Sequence, residues 1–362
     1  MRLTEKEIVK RLWESAEEYK PFIFMGFEEK FLLAKGIKAD AIVEISTENG
    51  PSFKAIVEIA AVANPKTVLQ KCRLLRDELN RINEPDLVPV IVAPYISKSQ
   101  AKILADEGIS WIDLSGNMVV QAPNQLYVER TGKPNKFPDI APIKKIFQGV
   151  SSLVSRALLL KPDGFSSLYE VVDFINSRNA NITVSTVSKV LKSLEQELLV
   201  DKSKSLISAR DSEKLLERLT EDYISSTKRK ARKTYRFATD STQKLFYTFF
   251  ERQIDYVACG FYAAKLKGLA VTDLVTIFVK DIEQVRKAVV YNWIAITPDA
   301  EFGNISITET NDPGVWFNTR LLRYDAVVDD IELYLEMMAD TPRGPKIAKL
   351  LKGRMLKVDT DG

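Results

Sequence analysis

Two short apolar segments near the N-terminus constrain the fold more than any other feature of this sequence. Residues 40–46 (DAIVEIS) and 53–60 (FKAIVEIA) are predicted strands, joined by the turn-forming residues TENGPS. The sequence then predicts a helix (PKTVLQKCRLLRDEL), a buried strand (PVIVAPYI), a helix (SKSQAKILADEG) and a last strand (SWIDLSGNMVV). A hairpin followed by strand–helix–strand crossovers predicts a mixed α/β sheet in residues 1–140.

The length of the chain predicts more than one domain. With 362 residues it is too long for one ordinary core, so we expect two or three. Prolines and turn residues cluster at 131–142 and predict a linker, and a second change of pattern falls near residue 233. We therefore expect an α/β multidomain protein with domains at 1–140, 141–233 and 234–362.

The absence of histidine limits the chemistry that this chain can perform. It excludes imidazole metal ligands and the Ser–His and Cys–His nucleophile pairs. Cys72 and Cys259 are too few for a four-sulfur zinc site and argue against a secreted disulfide framework. Because no segment reaches the roughly 18 apolar residues of a membrane span, we expect a soluble cytoplasmic protein with no membrane partner.

Two carboxylates lie on the adjacent predicted strands. Asp40 and Glu58 resemble the acid pair of the restriction-endonuclease-like fold, whose pattern is an acid, then an acid, one spacer residue and a lysine. That resemblance implies a Mg²⁺ ion held by oxygen ligands. Ala60 stands at the lysine position, so we favour an inactive scaffold over an active nuclease. Two alternatives stay open: a residue relocated to the next helix, Gln70 or Lys71, and acids that merely solvate strand ends.

The segment 112–120 (IDLSGNMVV) interrupts a buried strand with polar residues. The pair Gly116–Asn117 is typical of a bulge or a tight turn, which we favour over a functional loop. Asp113 and Ser115 precede this pair. A position of Asp113 near the acidic pair stays open.

Residues 141–233 predict a winged helix-turn-helix. The order is a helix ending at Lys161, a helix capped by Ser166 or Ser167, a third helix beginning near Thr183, and a two-stranded wing over VDKSKSLISAR. In the third helix the apolar residues fall on one face: Val184, Val187, Leu191, Leu194 and Leu198. The opposite face is predicted to meet solvent with Ser185, Thr186, Lys189, Lys192 and Ser193.

Positive charge is concentrated in this middle segment. Residues 144–233 hold 17 lysines and arginines against 11 acids, an excess of six, whereas the whole chain has an excess of three. Such a local excess is the expected footprint of phosphate contact, with double-stranded DNA as the partner. The residues that we predict to contact DNA are Ser185, Thr186, Lys189, Lys192, Lys202, Lys204, Lys228, Arg229, Lys230 and Arg232.

The last third predicts another α/β domain. Residues 259–279 (CGFYAAKLKGLAVTDLVTIFV) resemble the opening of a nucleotidyltransferase core, in which a strand carries paired acids for magnesium. Here the strand LVTIFV has no acid, and only Asp273 precedes it. Two-metal chemistry needs at least two close carboxylates, so we expect a degenerate core without transferase activity.

The order of these parts, with PVIVAPYIS, GISWIDLSGNM and LYVERTGKPN, resembles bacterial AbiEi-type antitoxins and related winged-helix transcriptional regulators. The resemblance implies a DNA-binding repressor beside a nucleotidyltransferase-like toxin of a type IV system. In the typical antitoxin the winged helix is N-terminal, whereas here it is predicted in the middle of the chain.

These observations favour a sequence-specific DNA-binding transcriptional regulator, a homodimer without a cofactor and without enzymatic activity. The alternative is a Mg²⁺-dependent DNA nuclease that uses Asp40 and Glu58 and is targeted by the winged helix. A third interpretation is a protein that contacts only a toxin and does not bind DNA.

Overall fold

A computed structural model describes residues 3–29, 32–33, 37–47, 50–84, 86–123, 125–137, 145–203, 205–226, 229, 231–291, 296–298, 303–322, 324–340 and 343–356. The chain divides into two compact units. The first unit comprises residues 1–144 and 196–198, and the second comprises residues 145–195 and 199–362. Both units are mixed α/β structures built on a seven-stranded sheet.

The sheet of the first unit is antiparallel at both edges and parallel in the middle. Its strand order is β1-β4-β5-β6-β7-β8-β9. The three middle strands β5, β6 and β7 run parallel to one another. Two very short strands, β2 and β3, form a separate ladder. In chain order the strands are β1 (Phe22–Glu29), β2 (Leu32–Leu33), β3 (Ile37–Lys38), β4 (Ala41–Thr47), β5 (Phe53–Ile59), β6 (Leu87–Ala93), β7 (Ser110–Asp113), β8 (Met118–Ala122) and β9 (Leu126–Arg130).

Three helices cover this sheet, α1 (Glu5–Glu14), α2 (Pro65–Ile82) and α3 (Lys98–Asp106). The apolar residues of α1 share a core with Val57 and Ile59, whereas those of α2 and α3 share a second core with Ile56 and Ala60. Because successive side chains of a strand point to opposite faces, β5 contributes to both cores. The predicted hairpin and both crossover helices are confirmed in this sheet.

Side-chain caps stabilise the starts of these helices. The side chains of Thr4, Asn64 and Ser97 each accept a hydrogen bond from a backbone N–H in the first turn of α1, α2 and α3 respectively. Pro65 occupies the first turn of α2, where no backbone N–H is needed. Helix α1 ends at Glu14, and a 3₁₀ turn (Ala16–Tyr19) follows.

The predicted last strand is in fact a hairpin. SWIDLSGNMVV divides into β7 and β8, which pair antiparallel around a tight turn with Gly116 at φ +88°. The carboxylate of Asp113 holds this turn: Oδ1 accepts from the N–H groups of Ser115 and Asn117, each at 2.9 Å, and Oδ2 accepts from Ile96 N–H at 3.1 Å. The turn interpretation is therefore confirmed, and both carboxylate oxygens of Asp113 already accept hydrogen bonds.

Strand β1 had no sequence prediction. Its residues, FIFMGFEE, do not alternate between apolar and polar side chains, so the period of two that marks a half-buried strand is missing. The register of β1 on β4 also shifts between Phe24 and Gly26. The pairing is nevertheless set by β4, which offers a full edge to β1.

The second unit begins with three helices, a hairpin and a fourth helix, which we call the helix–hairpin module. Phe165 pairs with Ile207 through two backbone hydrogen bonds of 2.8 and 2.7 Å and so attaches the chain before α5 to the hairpin. The predicted helices and the predicted hairpin are present. They are α4 (Ser152–Leu160), α5 (Leu168–Asn176), α6 (Val184–Gln196), β10 (Val200–Lys202), β11 (Ile207–Ala209) and α7 (Ser212–Ser225).

The rest of the second unit is a mixed sheet with helices on both faces. Its strand order is β15-β12-β16-β14-β13-β18-β17. The strand and helix that open it, β12 and α8, were not predicted. In chain order the elements are β12 (Thr234–Thr239), α8 (Thr242–Glu251), β13 (Tyr256–Ala258), α9 (Gly260–Leu266), β14 (Val275–Val279), α10 (Ile282–Tyr291), β15 (Ile296–Pro298), β16 (Ile305–Glu309), α11 (Pro313–Trp316), β17 (Arg320–Leu322), β18 (Asp325–Val327), α12 (Asp330–Ala339) and α13 (Gly344–Leu356).

The boundary predicted at residue 233 does not separate two compact units. One hydrophobic core contains Leu153 and Leu215 of the helix–hairpin module together with Ile331 and Ile347 of the last two helices. Because one core includes both parts, the module and the second sheet belong to the same unit. Among the described helices, none is both long and apolar enough to cross a membrane.

The Asp113 turn generates a stability prediction. We expect Asp113→Ala to lower the free energy of unfolding by about 2 kcal/mol or more, because it leaves buried N–H groups without an acceptor. Chemical denaturation of the full chain measures the change. The control is Asp86→Ala, which removes an exposed carboxylate of the same unit and should change stability by less than about 0.5 kcal/mol. Equal effects of the two substitutions would contradict this role.

Candidate active site

Three charged side chains meet at the boundary between the first sheet and helix α2. Asp40 immediately precedes β4, and Glu58 lies on β5, which pairs antiparallel with β4. Along β5 and the residue that follows it, positions 56, 58 and 60 point to the face covered by α2, because Ile56 and Ala60 belong to the core that includes Cys72 of that helix. Glu58 is thus directed at α2, and Lys71 of α2 meets it.

The ammonium group of Lys71 bridges the two acids. Its Nζ lies 2.5 Å from Oε2 of Glu58 and 3.2 Å from Oδ2 of Asp40. The same oxygen of Asp40 accepts a hydrogen bond from the backbone N–H of Ile59 at 2.8 Å. The side chain of Glu58 is only 7% exposed, that of Lys71 18% and that of Asp40 29%. The cluster is therefore largely withdrawn from water but open on the side of Asp40.

Burial and mutual charge shift the pKa of each group. Burial raises the pKa of Glu58 to about 7, although the hydrogen bond and charge of Lys71 oppose this. Burial by itself would raise the pKa of Asp40, but the hydrogen bonds from Ile59 and Lys71 outweigh burial and lower this pKa. Burial also disfavours charged Lys71, yet the two carboxylates raise the pKa of its ammonium group. Lys71 therefore stays protonated at neutral pH.

The cluster supplies the charges that the acid–acid–lysine pattern requires. The lysine comes from α2 instead of position 60, where Ala60 is fully buried in the core under that helix. Two carboxylates on adjacent strands fit a Mg²⁺ ion, which commonly uses one or two protein carboxylates and completes its shell with water and substrate phosphate. A larger protein cage is not available, because the described residues contain no group of three or more His, Cys, Asp or Glu suited to a metal.

Of the two relocated residues that the sequence left open, only Lys71 is at the site. Gln70 is exposed. Helical spacing of about 100° per residue separates them, since Val68, Cys72 and Leu75 define the buried face of α2. Lys71 falls close to that face and Gln70 falls opposite to it. This periodicity was the signal that could have chosen between the two.

Asp113 does not join the acids. It ends β7, and one strand, β6, lies between β5 and β7 in the sheet, so two interstrand spacings separate β5 from β7. Adjacent strands are about 4.8 Å apart, which places Asp113 roughly 10 Å from the level of Ala60. Its carboxylate already accepts hydrogen bonds from Ile96, Ser115 and Asn117. Asp113 is a structural residue.

The predicted DNA-contacting face of α6 is partly as expected. Ser185, Lys189 and Lys192 are exposed, Thr186 is half-buried, and Lys202 on the hairpin is exposed. Ser193 is buried and its hydroxyl donates to the carbonyl of Lys189 at 3.2 Å, so its predicted exposure was wrong. The apolar face is confirmed through Leu194, but Leu198 follows the end of the helix.

Two of the predicted arginines are used inside the fold. Arg232 is 11% exposed and its Nη2 lies 2.8 Å from Oδ2 of Asp312, so it is not free to hold a DNA backbone. Arg229 donates from Nε to the carbonyl of Tyr223 at 3.0 Å and lies over the ring of that residue. A basic run does not show which of its arginines are exposed. The tertiary structure engages these two in contacts inside the fold. Lys204, Lys228 and Lys230 lie outside the described residues.

The exposed Asp273 precedes β14, which carries no acid. Among the described residues of the second unit, Asp329 and Glu332, beside and on α12, are buried acids, and both face Arg156. No carboxylate pair is thus present on β14 for two-metal chemistry.

No protein-family model and no curated protein matches the sequence. Among solved structures, the structure of EndoMS in apo form matches at 18% sequence identity and a TM-score of 0.19. The match covers 31% of this chain, and it spans 47% of the length of that chain. A likeness this weak says nothing about the activity of this protein.

The raised pKa of Glu58 generates a pH-dependent prediction. At pH values between 4.5, the ordinary pKa of this group, and about 7, Glu58 of the folded protein keeps a proton that the unfolded chain has released. Stability contributed by this group is therefore lost as pH rises through that window. We expect the unfolding free energy of the wild type, relative to Glu58→Gln, to fall by roughly 1–3 kcal/mol between about pH 5 and about pH 8.

Denaturant titrations at a series of pH values measure this difference. Glu84→Gln, at an exposed position of the same unit, is the matched control and should run parallel to the wild type. A constant difference between wild type and Glu58→Gln over the whole range would show that burial does not perturb Glu58.

Proposed function

We propose that this protein is a Mg²⁺-dependent DNA nuclease whose active site is Asp40, Glu58 and Lys71. The observation that carries the proposal is the position of Lys71, with its Nζ 2.5 Å from Glu58 and 3.2 Å from Asp40. The sequence alone favoured an inactive scaffold, because Ala60 stands at the lysine position. A lysine delivered by α2 to the same two acids removes that objection.

The roles of the three residues follow from their charges. Mg²⁺ held by Asp40 and Glu58 would neutralise negative charge on a phosphodiester and favour attack by water. Glu58 must be ionised to bind the ion, so its pKa of about 7 ties activity to neutral or higher pH. Lys71 remains protonated and donates hydrogen bonds, so it stabilises negative charge on the phosphate or orients the attacking water; it is not the general base.

DNA as the substrate is supported by the helix–hairpin module. Its helices and hairpin come in the order of a winged helix-turn-helix, and residues 144–233 carry an excess of six positive charges. Three lysines of α6 and β10 are exposed: Lys189, Lys192 and Lys202. No ion pair within the described residues involves them, so they can contact phosphates directly. Arg229 and Arg232 are no longer part of this proposed surface.

The second candidate is a DNA-binding regulator without cleavage. The observation that favours it is the same ion pair, because the ammonium group of Lys71 contacts both carboxylates directly. Under this candidate the protein binds DNA as a homodimer. The resemblance to AbiEi-type antitoxins then adds a nucleotidyltransferase-like toxin as its partner.

The nuclease proposal predicts Mg²⁺-dependent cleavage of DNA. We expect Asp40→Asn and Glu58→Gln to reduce the cleavage rate at least about 1000-fold, and Lys71→Met about 100-fold, since each removes a group that acts on transition-state charge. Cleavage of labelled duplex and single-stranded DNA, with and without Mg²⁺, measures these rates. Wild-type cleavage should also fall as the pH drops below about 7, as Glu58 takes up its proton.

Gln70→Ala is the matched control, because it alters the exposed neighbour of Lys71 on the same helix. It should keep the wild-type rate. Cleavage that persists in Asp40→Asn, or a wild type that binds DNA but never cleaves it, would remove the nuclease proposal and leave the regulator.

Both candidates predict salt-dependent DNA binding by the module. Each of Lys189→Ala, Lys192→Ala and Lys202→Ala should weaken affinity and reduce the slope of log K against log salt concentration by about one, because one phosphate contact is lost. Fluorescence anisotropy at several salt concentrations measures the slope. Cleavage is not needed for this readout, so Glu58→Gln protein can be used.

Lys346→Ala provides the control, since it removes an exposed lysine of α13 in the same unit. It should leave the salt dependence unchanged. If all four substitutions behave alike, the charge of α6 and the hairpin has no special role in binding.

A further inference from the structure

The hairpin formed by β17 and β18 is attached to the turn that precedes α6. The backbone N–H of Asn318 donates a hydrogen bond to the carbonyl of Arg178 at 3.1 Å. Beside it, Nδ2 of Asn179 donates to Oγ1 of Thr319 at 3.2 Å. The first pair of partners immediately precedes β17, and the second pair lies in the turn between α5 and α6. These two hydrogen bonds place the start of β17 beside the turn.

The turn itself is closed next to the start of α6. Asn176, the last residue of α5, binds both backbone groups of Ile182: its Oδ1 accepts from the N–H at 2.8 Å, and its Nδ2 donates to the carbonyl at 3.2 Å. Asn179 precedes Ile182 by three residues, so their Cα atoms are at most roughly 11 Å apart. The start of β17 therefore lies near the N-terminal end of α6, where Ser185 is exposed.

Arg320, the first residue of β17, brings a positive charge to this position. It is exposed, and its side chain makes no hydrogen bond or ion pair with any residue that the structure describes. Successive side chains of a strand point to opposite faces, so Arg320 shares a face with Leu322. Leu322 packs against the hydrophobic core that contains Val187 and Leu191 of α6. Arg320 therefore lies on the face of β17 that is turned to the helix–hairpin module.

The charges around Arg320 leave it available for an acceptor outside the protein. Residues 320–327 contain one acid, Asp325. Its two oxygens accept hydrogen bonds from the hydroxyl groups of Tyr256 at 2.9 Å and Tyr262 at 3.2 Å. Arg178 of the turn is engaged as well, because its Nη1 donates to a backbone carbonyl of α5 at 2.8 Å. Neither of these charged groups uses the guanidinium of Arg320.

We propose that Arg320 contacts a phosphate of the DNA beside α6, so that the β17–β18 hairpin extends the DNA-binding surface of the helix–hairpin module. This inference rests on the DNA binding in the proposed function, and it adds a contact from outside residues 144–233. The planar guanidinium group suits the role because it can donate two parallel hydrogen bonds to one phosphate. Such a contact fixes the position of α6 on the duplex without reading bases.

Salt-dependent DNA binding of Arg320→Ala tests the proposal. Fluorescence anisotropy is measured in the Glu58→Gln protein, which separates binding from cleavage. The substitution should weaken binding about tenfold at low salt, because a hydrogen bond between charged groups is lost. It should also reduce the slope of log K against log salt concentration by about one. Arg320→Lys retains the charge and should retain the slope.

The sequence of the DNA should not change this effect. A phosphate contact carries no base information, so Arg320→Ala should weaken binding by the same factor on duplexes of different sequence. Because Arg320 is exposed, its substitution should leave the thermal unfolding midpoint of the full chain nearly unchanged. The matched control is Arg354→Ala, which removes another exposed arginine of the second unit, on α13, and should leave binding unchanged.

The possible outcomes separate this inference from the proposed function. If Lys189→Ala lowers the affinity and the slope but Arg320→Ala lowers neither, the hairpin contact is overturned while DNA binding by α6 stands. If Arg354→Ala lowers the slope as much as Arg320→Ala, the effect reflects net charge alone and the contact is again overturned. If the unsubstituted protein binds no duplex DNA, the DNA-binding proposal fails and this inference fails with it.

Discussion

The alternation of side chains along β5 is the constraint on which the first unit depends. It assigns Val57 and Ile59 to the core under α1, and Ile56, Glu58 and Ala60 to the face under α2. A carboxylate on that face is buried at a cost in free energy unless a cation meets it. Lys71 meets this requirement, and it does so close enough to include Asp40. The same geometry that tolerates a buried acid thus produces a candidate active site.

A comparable constraint operates in the second unit. Arg156 of α4 faces Glu332 of α12 and Asp329, which precedes that helix, while the hydroxyl of Tyr223 of α7 donates to the other oxygen of Glu332 at 3.1 Å. Removing one partner from such a buried group is strongly destabilising, because it leaves an uncompensated charge. These contacts join the helix–hairpin module to the last helices, in addition to their shared apolar core. They explain why the module is not a separate compact unit.

Local patterns predicted most of the elements but not all of them. Short apolar segments joined by turn residues identified β4 and β5, Pro65 and Gly108 marked the start of α2 and the end of α3, and helical spacing identified the buried face of α6. Strand β1 was missed because FIFMGFEE shows no alternation. The exposure of Ser193 was predicted wrongly because helical periodicity defines the centre of a buried face better than its margins.

The sequence by itself determined the mixed α/β class, the acids at 40 and 58, the lack of histidine chemistry and the surplus of positive charge near the middle of the chain. Only the tertiary structure decided which charges are available and which are used. It assigned Lys71 to the acids, Asp113 to a turn, and Arg232 to Asp312. The physical reason is distance: ion pairs and buried hydrogen bonds form between residues far apart in the chain, and local sequence patterns report only on neighbours.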